Sequence, residues 1–305
     1  MSVMCPSCGN AAVTLRGPIS PSYLFAGQEL PKLLPGGGLY DCGVCALAFR
    51  FPTPPKERLD ALYRTCSIAQ WQYDPSGRFD WVLTHRHLES RLGSGSVLDI
   101  GCFDGAFHEY LGSTWKGYGI EINLDARARA VERGITLLGD NVTDLEHVTG
   151  EFDAVVAFDV LEHVVDPRAL LGQMAARTRP GGTVAIASGN TDAPSWKLMG
   201  SRYWYCTIPE HMAFLSETWC RRAGIHFGLE LVTMERYCHE RVRAPRHVVH
   251  ELASNLLYRF FPGVFAFLRS AGVGDKDASA HEALKHYPPT WTTARDHVVA
   301  VYKKP

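Results

Sequence analysis

One short run of this chain combines two carboxylates with two glycines: Val97-Leu98-Asp99-Ile100-Gly101-Cys102-Phe103-Asp104-Gly105. Its apolar residues read as a buried strand, its glycines as a tight turn, and Ala106–Leu111 as the start of a helix. A ligand can lie against bare backbone in such a turn, at a helix N-terminus. Glu121 comes twenty residues after Gly101, at the end of a second run, Tyr118-Gly119-Ile120. There its carboxylate can accept both hydroxyls of a ribose, so the pair points to a nucleoside cofactor. Asp140 and Asn141 follow a third run, Leu137-Leu138-Gly139, where Asp140 can meet an adenine amino group.

A second constellation is made of sulfur. Cys5-Pro6-Ser7-Cys8 and Cys42-Gly43-Val44-Cys45 are Cys-x-x-Cys knuckles with 33 residues between them. Each knuckle offers two thiolates to one tetrahedral ion, and four sulfurs leave no open position. The spacing predicts a closed structural zinc site on Cys5, Cys8, Cys42 and Cys45. Cys66, Cys102, Cys206, Cys220 and Cys238 lack ligand spacing and are expected to be buried. A third constellation is the aromatic stretch Tyr203–Phe214, which carries Glu210-His211. Histidine's ordinary pKa suits it to proton transfer near neutrality. His163, just past the apolar run Ala154–Phe158, is a second candidate of this kind.

These residues need a scaffold that brings them to one edge. From 96 to about 238 the pattern alternates strand and helix. Strands are expected at 96–100, 117–122, 136–138, 152–158 and 182–187, and helices at 106–111, 124–133, 166–177 and 216–223. Strands separated by helices, without hairpin signals, form a parallel sheet covered on both faces. Two further strands, 229–234 and 297–302, bring the total to seven. Between them Val248, Leu252, Leu256 and Phe260 fall on one helical face, with Val249, Ala253, Leu257 and Phe261 beside them. Pro262 ends that helix or starts another. The stripe is read as core or as a homodimer interface over 245–270. A peripheral membrane contact is less favoured, because the polar face is not strongly basic. Segment 1–55 is expected to be the zinc ribbon, 56–95 a helical linker or lid, and 96–305 the main domain, with an insertion at about 245–290. Tyr63, Trp71 and Tyr73 are aromatic candidates for a lid over the cofactor, although packing is the commoner role.

The 305 residues hold 31 Lys and Arg against 32 Asp and Glu, a formal net charge of −1. That balance argues against a polyanionic partner, nucleic acid included. There is no N-terminal apolar signal region and no uncharged run of membrane-spanning length, so a cytoplasmic location is expected.

The order of these features is itself specific. Asp99 and Gly101, Glu121, Asp140, Asp153 opening an apolar strand, Phe158-Asp159-Val160-Leu161-Glu162-His163-Val164, and Arg179-Pro180-Gly181-Gly182 follow one another within about 96–235. This order resembles the class I S-adenosylmethionine-dependent methyltransferases, especially the branch with ubiquinone-pathway, sugar and small-molecule enzymes. The resemblance implies an α/β Rossmann-like fold with a seven-stranded, mostly parallel sheet. It places S-adenosyl-L-methionine across the carboxyl ends of the strands, with Asp99 near the cofactor's amino group. The implied cofactor-binding residues are Asp99, Gly101, Cys102, Phe103, Gly105, Glu121, Ile122, Asp140, Asn141 and Phe158. One departure stands out: the family's Asp-x-Gly-x-Gly-x-Gly has Phe103 at its middle glycine, where a side chain either crowds the backbone approach or points away. The turn does not spell the Gly-x-Gly-x-x-Gly of a dinucleotide site.

The N-terminal segment is similar to the zinc-binding segment of sugar C-methyltransferases. Those enzymes carry a similar Glu-His pair, with a tyrosine three residues before the histidine; here that position is Ile208. The missing tyrosine favours a hydroxyl acceptor over carbon. The expectation is an S-adenosylmethionine-dependent methyltransferase, probing a small-molecule or glycan acceptor and O-methylating a sugar, glycan precursor or natural product. His211 is the candidate base, Glu210 and His163 stand beside it, and no catalytic metal is expected. The alternatives are C- or N-methylation of a sugar nucleotide, and a non-catalytic cofactor-binding scaffold. RNA methylation is disfavoured, since only Arg16, Lys32 and Arg50 lie near the knuckles.

Overall fold

The structure is a computed structural model that describes residues 3–26, 28–68, 77–238, 245–273 and 287–305. Trp71 and Tyr73 lie outside the described residues. The N-terminal segment holds β1 (Val13–Ile19), β2 (Ser22–Phe25), β3 (Gln28–Leu34), β4 (Gly37–Cys42) and β5 (Ala48–Phe51). β1, β4 and β5 pair antiparallel, and β2–β3 is a separate hairpin. Helices α1 (Lys56–Thr65) and α2 (Phe79–Arg91) lead into the main sheet.

That sheet begins with β6 (Gly95–Ile100), followed by α3 (Ala106–Leu111), β7 (Trp115–Ile120), α4 (Leu124–Glu132), β8 (Thr136–Gly139), β9 (Phe152–Phe158), α5 (Pro167–Arg177) and β10 (Thr178–Gly189). The helices start where the side chains allow it. Asn123 caps α4 through Asp125 N and Ala126 N, and Asp166 caps α5 with Pro167 in the first turn. The chain continues through α6 (Pro194–Met199), α7 (Trp204–Thr207), β11 (Ala213–Phe214), α8 (Glu217–His226), β12 (Glu230–Tyr237), α9 (Pro245–Phe260), α10 (Pro262–Ser270) and β13 (His297–Lys303).

The seven-stranded order is β12-β13-β10-β9-β6-β7-β8. β8, β7, β6, β9 and β10 are parallel to one another; β13 runs antiparallel between β10 and β12. Period-two alternation builds a core on each face. Leu98, Ile100, Val155 and Ala157 pack with Leu171, Met174 and Trp219 on one side. Val97, Ala154 and Val156 pack with Leu88, Phe107 and Leu111 on the other. From β6 the chain winds outward through β7 and β8, then returns on the opposite side as β9. The carboxyl ends of β6 and β9 therefore flank a switch point, where open α/β sheets bind ligands.

Two features depart from the sequence pattern. β11 pairs with β5, so residues 213–214 complete the sheet of the N-terminal segment. The insertion docks through polar residues. Glu251 accepts from the backbone and hydroxyls of Thr292 and Thr293, and Asn255, the buried residue of α9, donates to Thr290 O. Val248, Val249, Leu252, Phe260 and Phe261 face outward, so this part of the apolar stripe is not core. Among the described residues no helix is long and apolar enough to cross a membrane.

Candidate functional site

A cleft of about 930 Å³ runs along the carboxyl ends of β6, β7, β8 and β9. Asp99, Gly101, Cys102, Phe103, Glu121, Ile122, Asp140, Asn141 and Phe158 line it. Gly105 does not. It turns the chain into α3 at φ +79°, and a Cβ there would meet Ile135 Cγ1 at 2.9 Å, so packing accounts for this glycine. Gly101 is demanded twice: its φ is +72°, and a Cβ would meet Val160 Cγ2 at 2.6 Å.

Phe103 adopts φ +49°, a left-handed conformation that costs a residue with a side chain about 1–2 kcal/mol. Its N–H donates to Glu121 Oε2 at 2.9 Å, which helps hold the turn in place. Asn123 N–H donates to the other oxygen at 2.7 Å. Each carboxylate oxygen keeps a further lone pair for a ligand hydroxyl. Burial raises the Glu121 pKa, which the Asn123 and Phe103 N–H groups partly offset. Burial, with Glu121 beside it, pushes Asp99 well above the usual carboxylate range. Two crowded acids on one wall favour a ligand that brings hydroxyls and a positive charge.

Residues outside the sheet close the cleft. Arg78 is 8% exposed and makes a fork to Asp80, Nε–Oδ1 3.0 Å and Nη2–Oδ2 2.5 Å. It also reaches Asp159 Oδ2 at 2.9 Å. The sequence pattern did not single out Arg78, because it lies outside the strand-turn-helix unit and its partner is 81 residues away. Helix α1 crosses the opening. In its last turn Arg64 pairs with Asp140 at 2.8 Å and Tyr63 OH meets His163 Nδ1 at 2.6 Å. Asn123 Nδ2 ties down the end of α1 through Tyr63 O and Cys66 O.

The far end of the cleft brings together the three candidates for chemistry. His163, Glu210 and His211 all line it, and the two imidazoles meet edge to face at 4.8 Å. His211 Nδ1 lies 3.1 Å from Tyr205 O. A carbonyl only accepts, so Nδ1 carries the proton and Nε2 keeps a lone pair. Burial first, then the neighbouring His163, holds His211 well below the ordinary histidine range. Burial brings His163 down to about 4, so both rings are neutral near pH 7. Burial also pushes Glu162 and Glu210 up to about 7. Glu162 is held on both oxygens: Tyr205 OH donates to Oε1 at 2.5 Å and Ser188 OH to Oε2 at 2.9 Å. Among the described residues Glu210 Oε2 is buried without a hydrogen-bond partner. Glu162, His163 and His211 hold possible ligand atoms within 4.8 Å of one another. Both Glu162 oxygens already accept hydrogen bonds and His163 Nδ1 faces Tyr63, an arrangement suited to moving protons.

The knuckles meet where β4 ends, beside the start of β1. Cys5 and Cys45 sulfurs lie 3.5 Å apart, Cys8 and Cys42 3.6 Å apart, and all four within 4.8 Å. A tetrahedron with ~2.3 Å metal–sulfur bonds has edges of about 3.8 Å, so the donor set fits one tetrahedral ion. All four cysteines are free thiols. The other five are buried or half-buried.

A family model described as a methyltransferase domain matches residues 74–234. The ubiquinone biosynthesis O-methyltransferase of Erwinia tasmaniensis is 31% identical over 142 residues, which cover 43% of this chain and 57% of that protein. The same enzyme from Aeromonas salmonicida is 30% identical over 166 residues, covering 50% and 68%. The alignment thus spans under two thirds of the Erwinia relative. Among solved structures, the N-methyltransferase NodS from Bradyrhizobium japonicum in complex with S-adenosyl-L-homocysteine is similar at TM-score 0.46 and 16% identity, covering 81% of this chain and 97% of that one.

Proposed function

The chain belongs to the class I S-adenosylmethionine-dependent methyltransferases, and we propose that it transfers the methyl group to a hydroxyl of a sugar, a glycan precursor or a related natural product. The observation that carries this reading is one continuous cleft. It joins the Gly101–Glu121 turn at one end to His163, Glu210 and His211 at the other. When bound, the sulfonium cofactor supplies an electrophilic methyl group on a good leaving group.

This chain's residues bind, orient and deprotonate. Glu121 takes the ribose hydroxyls, Asp140 and Asn141 face the adenine, and Asp99 faces the amino group. Arg78, which also lines the cleft, would offer a cation to the cofactor's carboxylate. Helix α1 keeps water out through Tyr63. His211 Nε2 takes the acceptor's hydroxyl proton as the new O–C bond forms, and Tyr205 O steadies the charge that appears on the ring. A second reading makes Glu210 the base, since its unpartnered oxygen titrates at about 7. Cys5, Cys8, Cys42 and Cys45 hold a structural zinc ion away from the chemistry.

The test is formation of S-adenosylhomocysteine from S-adenosylmethionine across a panel of hydroxyl, amine and carbon acceptors. With a working acceptor, His211→Ala should lose ~10²–10⁴-fold in turnover while binding the cofactor normally. Full turnover by that variant would refute the His211 assignment, and loss confined to Glu210→Gln would support the second reading.

A further inference from the structure

Arg50 is a buried cation that the methyl-transfer chemistry above does not use. It sits on β5 and is 1% exposed. Among the described residues no carboxylate comes within salt-bridge distance of it, and its Nε has no hydrogen-bond partner. Burial brings its pKa down to about 10, which leaves it charged at neutral pH. An apolar side chain of similar length is the cheaper way to fill such a space. A guanidinium here calls for a reason.

Its contacts supply one. Nη2 donates to Cys206 O at 2.7 Å and to Ile208 O at 3.0 Å. The backbone N–H of Arg50 donates to Met212 O at 2.8 Å. The segment Pro209-Glu210-His211 lies between Ile208 and Met212, so one residue grips both of its ends. The ladder continues the grip, with Phe49 opposite Ala213 and Ala48 opposite Phe214. The segment is also held by His211 N–H donating to Ile208 O, Met212 N–H donating to Glu162 O, His211 Nδ1 at 3.1 Å from Tyr205 O and His163 Nδ1 at 3.4 Å from Glu210 O.

We propose that Arg50 is a positioning residue of the methyl-transfer site: planted on the N-terminal sheet, it clamps Ile208 and Met212 so that Glu210 and His211 face the cleft in one register. Its charge acts on both residues as well. It opposes protonation of Glu210 and of His211. The groups around His211 are His163, His297, Glu162 and Tyr205, and those around Arg50 are Cys206, Glu210 and Tyr287. None of the groups around Arg50 is a cation that could replace it. The N-terminal segment is also stitched to the main body at other points. Ser216 OH donates to Ala46 O at 2.8 Å, Trp219 Nε1 to Ser7 Oγ at 3.3 Å, and Arg222 to Val44 O.

The inference rests on the reading that Glu210 and His211 form the acceptor wall, so its test includes measurements that need no acceptor. Arg50→Met and Arg50→Lys are made in the full chain with its metal. Binding of S-adenosylhomocysteine should be unchanged in both, since the Gly101–Glu121 end is untouched. In Arg50→Met, amide exchange over 208–212 should rise about tenfold while 97–111 stays protected. The His211 ring, followed by NMR, should titrate about half a unit or more higher. Arg50→Lys keeps the charge on a side chain one bond shorter, which falls short of Cys206 O and Ile208 O, so it should restore the His211 titration and not the exchange protection. With an acceptor, turnover falls and the KM for S-adenosylmethionine holds. A folded Arg50→Met with wild-type exchange and wild-type His211 titration overturns the clamp. If Arg50→Met does not fold, unchanged 208–212 exchange in Arg50→Lys overturns it instead. Failure of every acceptor would count against the proposed function and leave the exchange and titration results to judge Arg50.

Discussion

Glu210→Gln should change stability in a way that depends on pH. Glu210 is 5% exposed, and burial lifts its carboxyl from 4.5 to about 7. An acid with a raised native pKa holds its proton more tightly in the folded state. As pH rises from 4.5 towards 7, the unfolded chain loses that proton first, so the folded state loses stability across this window and the loss is complete above it. The rise to about 7 corresponds to about 3 kcal/mol of penalty at pH 8, most of it absent at pH 5. Glutamine keeps the shape and cannot ionise. Its buried amide brings a pH-independent cost of ~1–3 kcal/mol if its donors find no partner. That cost cancels when the two pH values are compared. Urea denaturation of both proteins at pH 5 and pH 8, at one ionic strength and without cofactor, should show the variant gaining about 2–3 kcal/mol on wild type between the two conditions. The buried histidines titrate in both proteins and drop out of that difference. Equal effects at the two pH values would mean that Glu210 ionises normally and that the burial argument is wrong.

Three further outcomes follow from the geometry. Glu121→Ala removes the acceptor of the Phe103 and Asn123 N–H groups together with the proposed ribose ligand; calorimetry should show cofactor affinity at least ~10-fold weaker, and denaturation a loss of about 2 kcal/mol. Phe103→Gly should relieve left-handed strain at the cost of chain entropy, so its stability should stay within ~1 kcal/mol of wild type and its cofactor affinity should hold. A large loss of affinity would mean that the ring itself grips the ligand. Cys8→Ser should lower metal content, measured by elemental analysis, and lower the melting temperature by about 5 °C or more, since three ligands hold the knuckles less firmly. Unchanged metal content would remove Cys8 from the site.

The strands at 152–158 and 297–302 and the helix at 106–111 were legible in sequence because their signals are local. An apolar run, a glycine turn or a cap is decided by neighbours a few residues away. The knuckles were legible for the same reason, since Cys-x-x-Cys spacing is fixed by the geometry of one turn. The stripe at 248–261 was legible as a helix but not as a surface. Periodicity reports that a face is apolar and not which way it points; here Glu251 and Asn255 do much of the docking.

The sequence by itself determined the alternation of strand and helix, the turn at Gly101, the acid at Glu121 and the four-sulfur set. Only the tertiary structure decided what stands across the cleft from them. Tyr63 meets His163 over 100 residues of chain, Arg78 meets Asp159 over 81, and Arg50 meets Cys206 over 156. The protonation states of His211, His163 and Glu210 were likewise invisible in the chain, because burial and neighbouring charge set them. Local patterns fix which residues enter a strand or a turn. Desolvation and long-range contacts exist only once the chain has closed on itself.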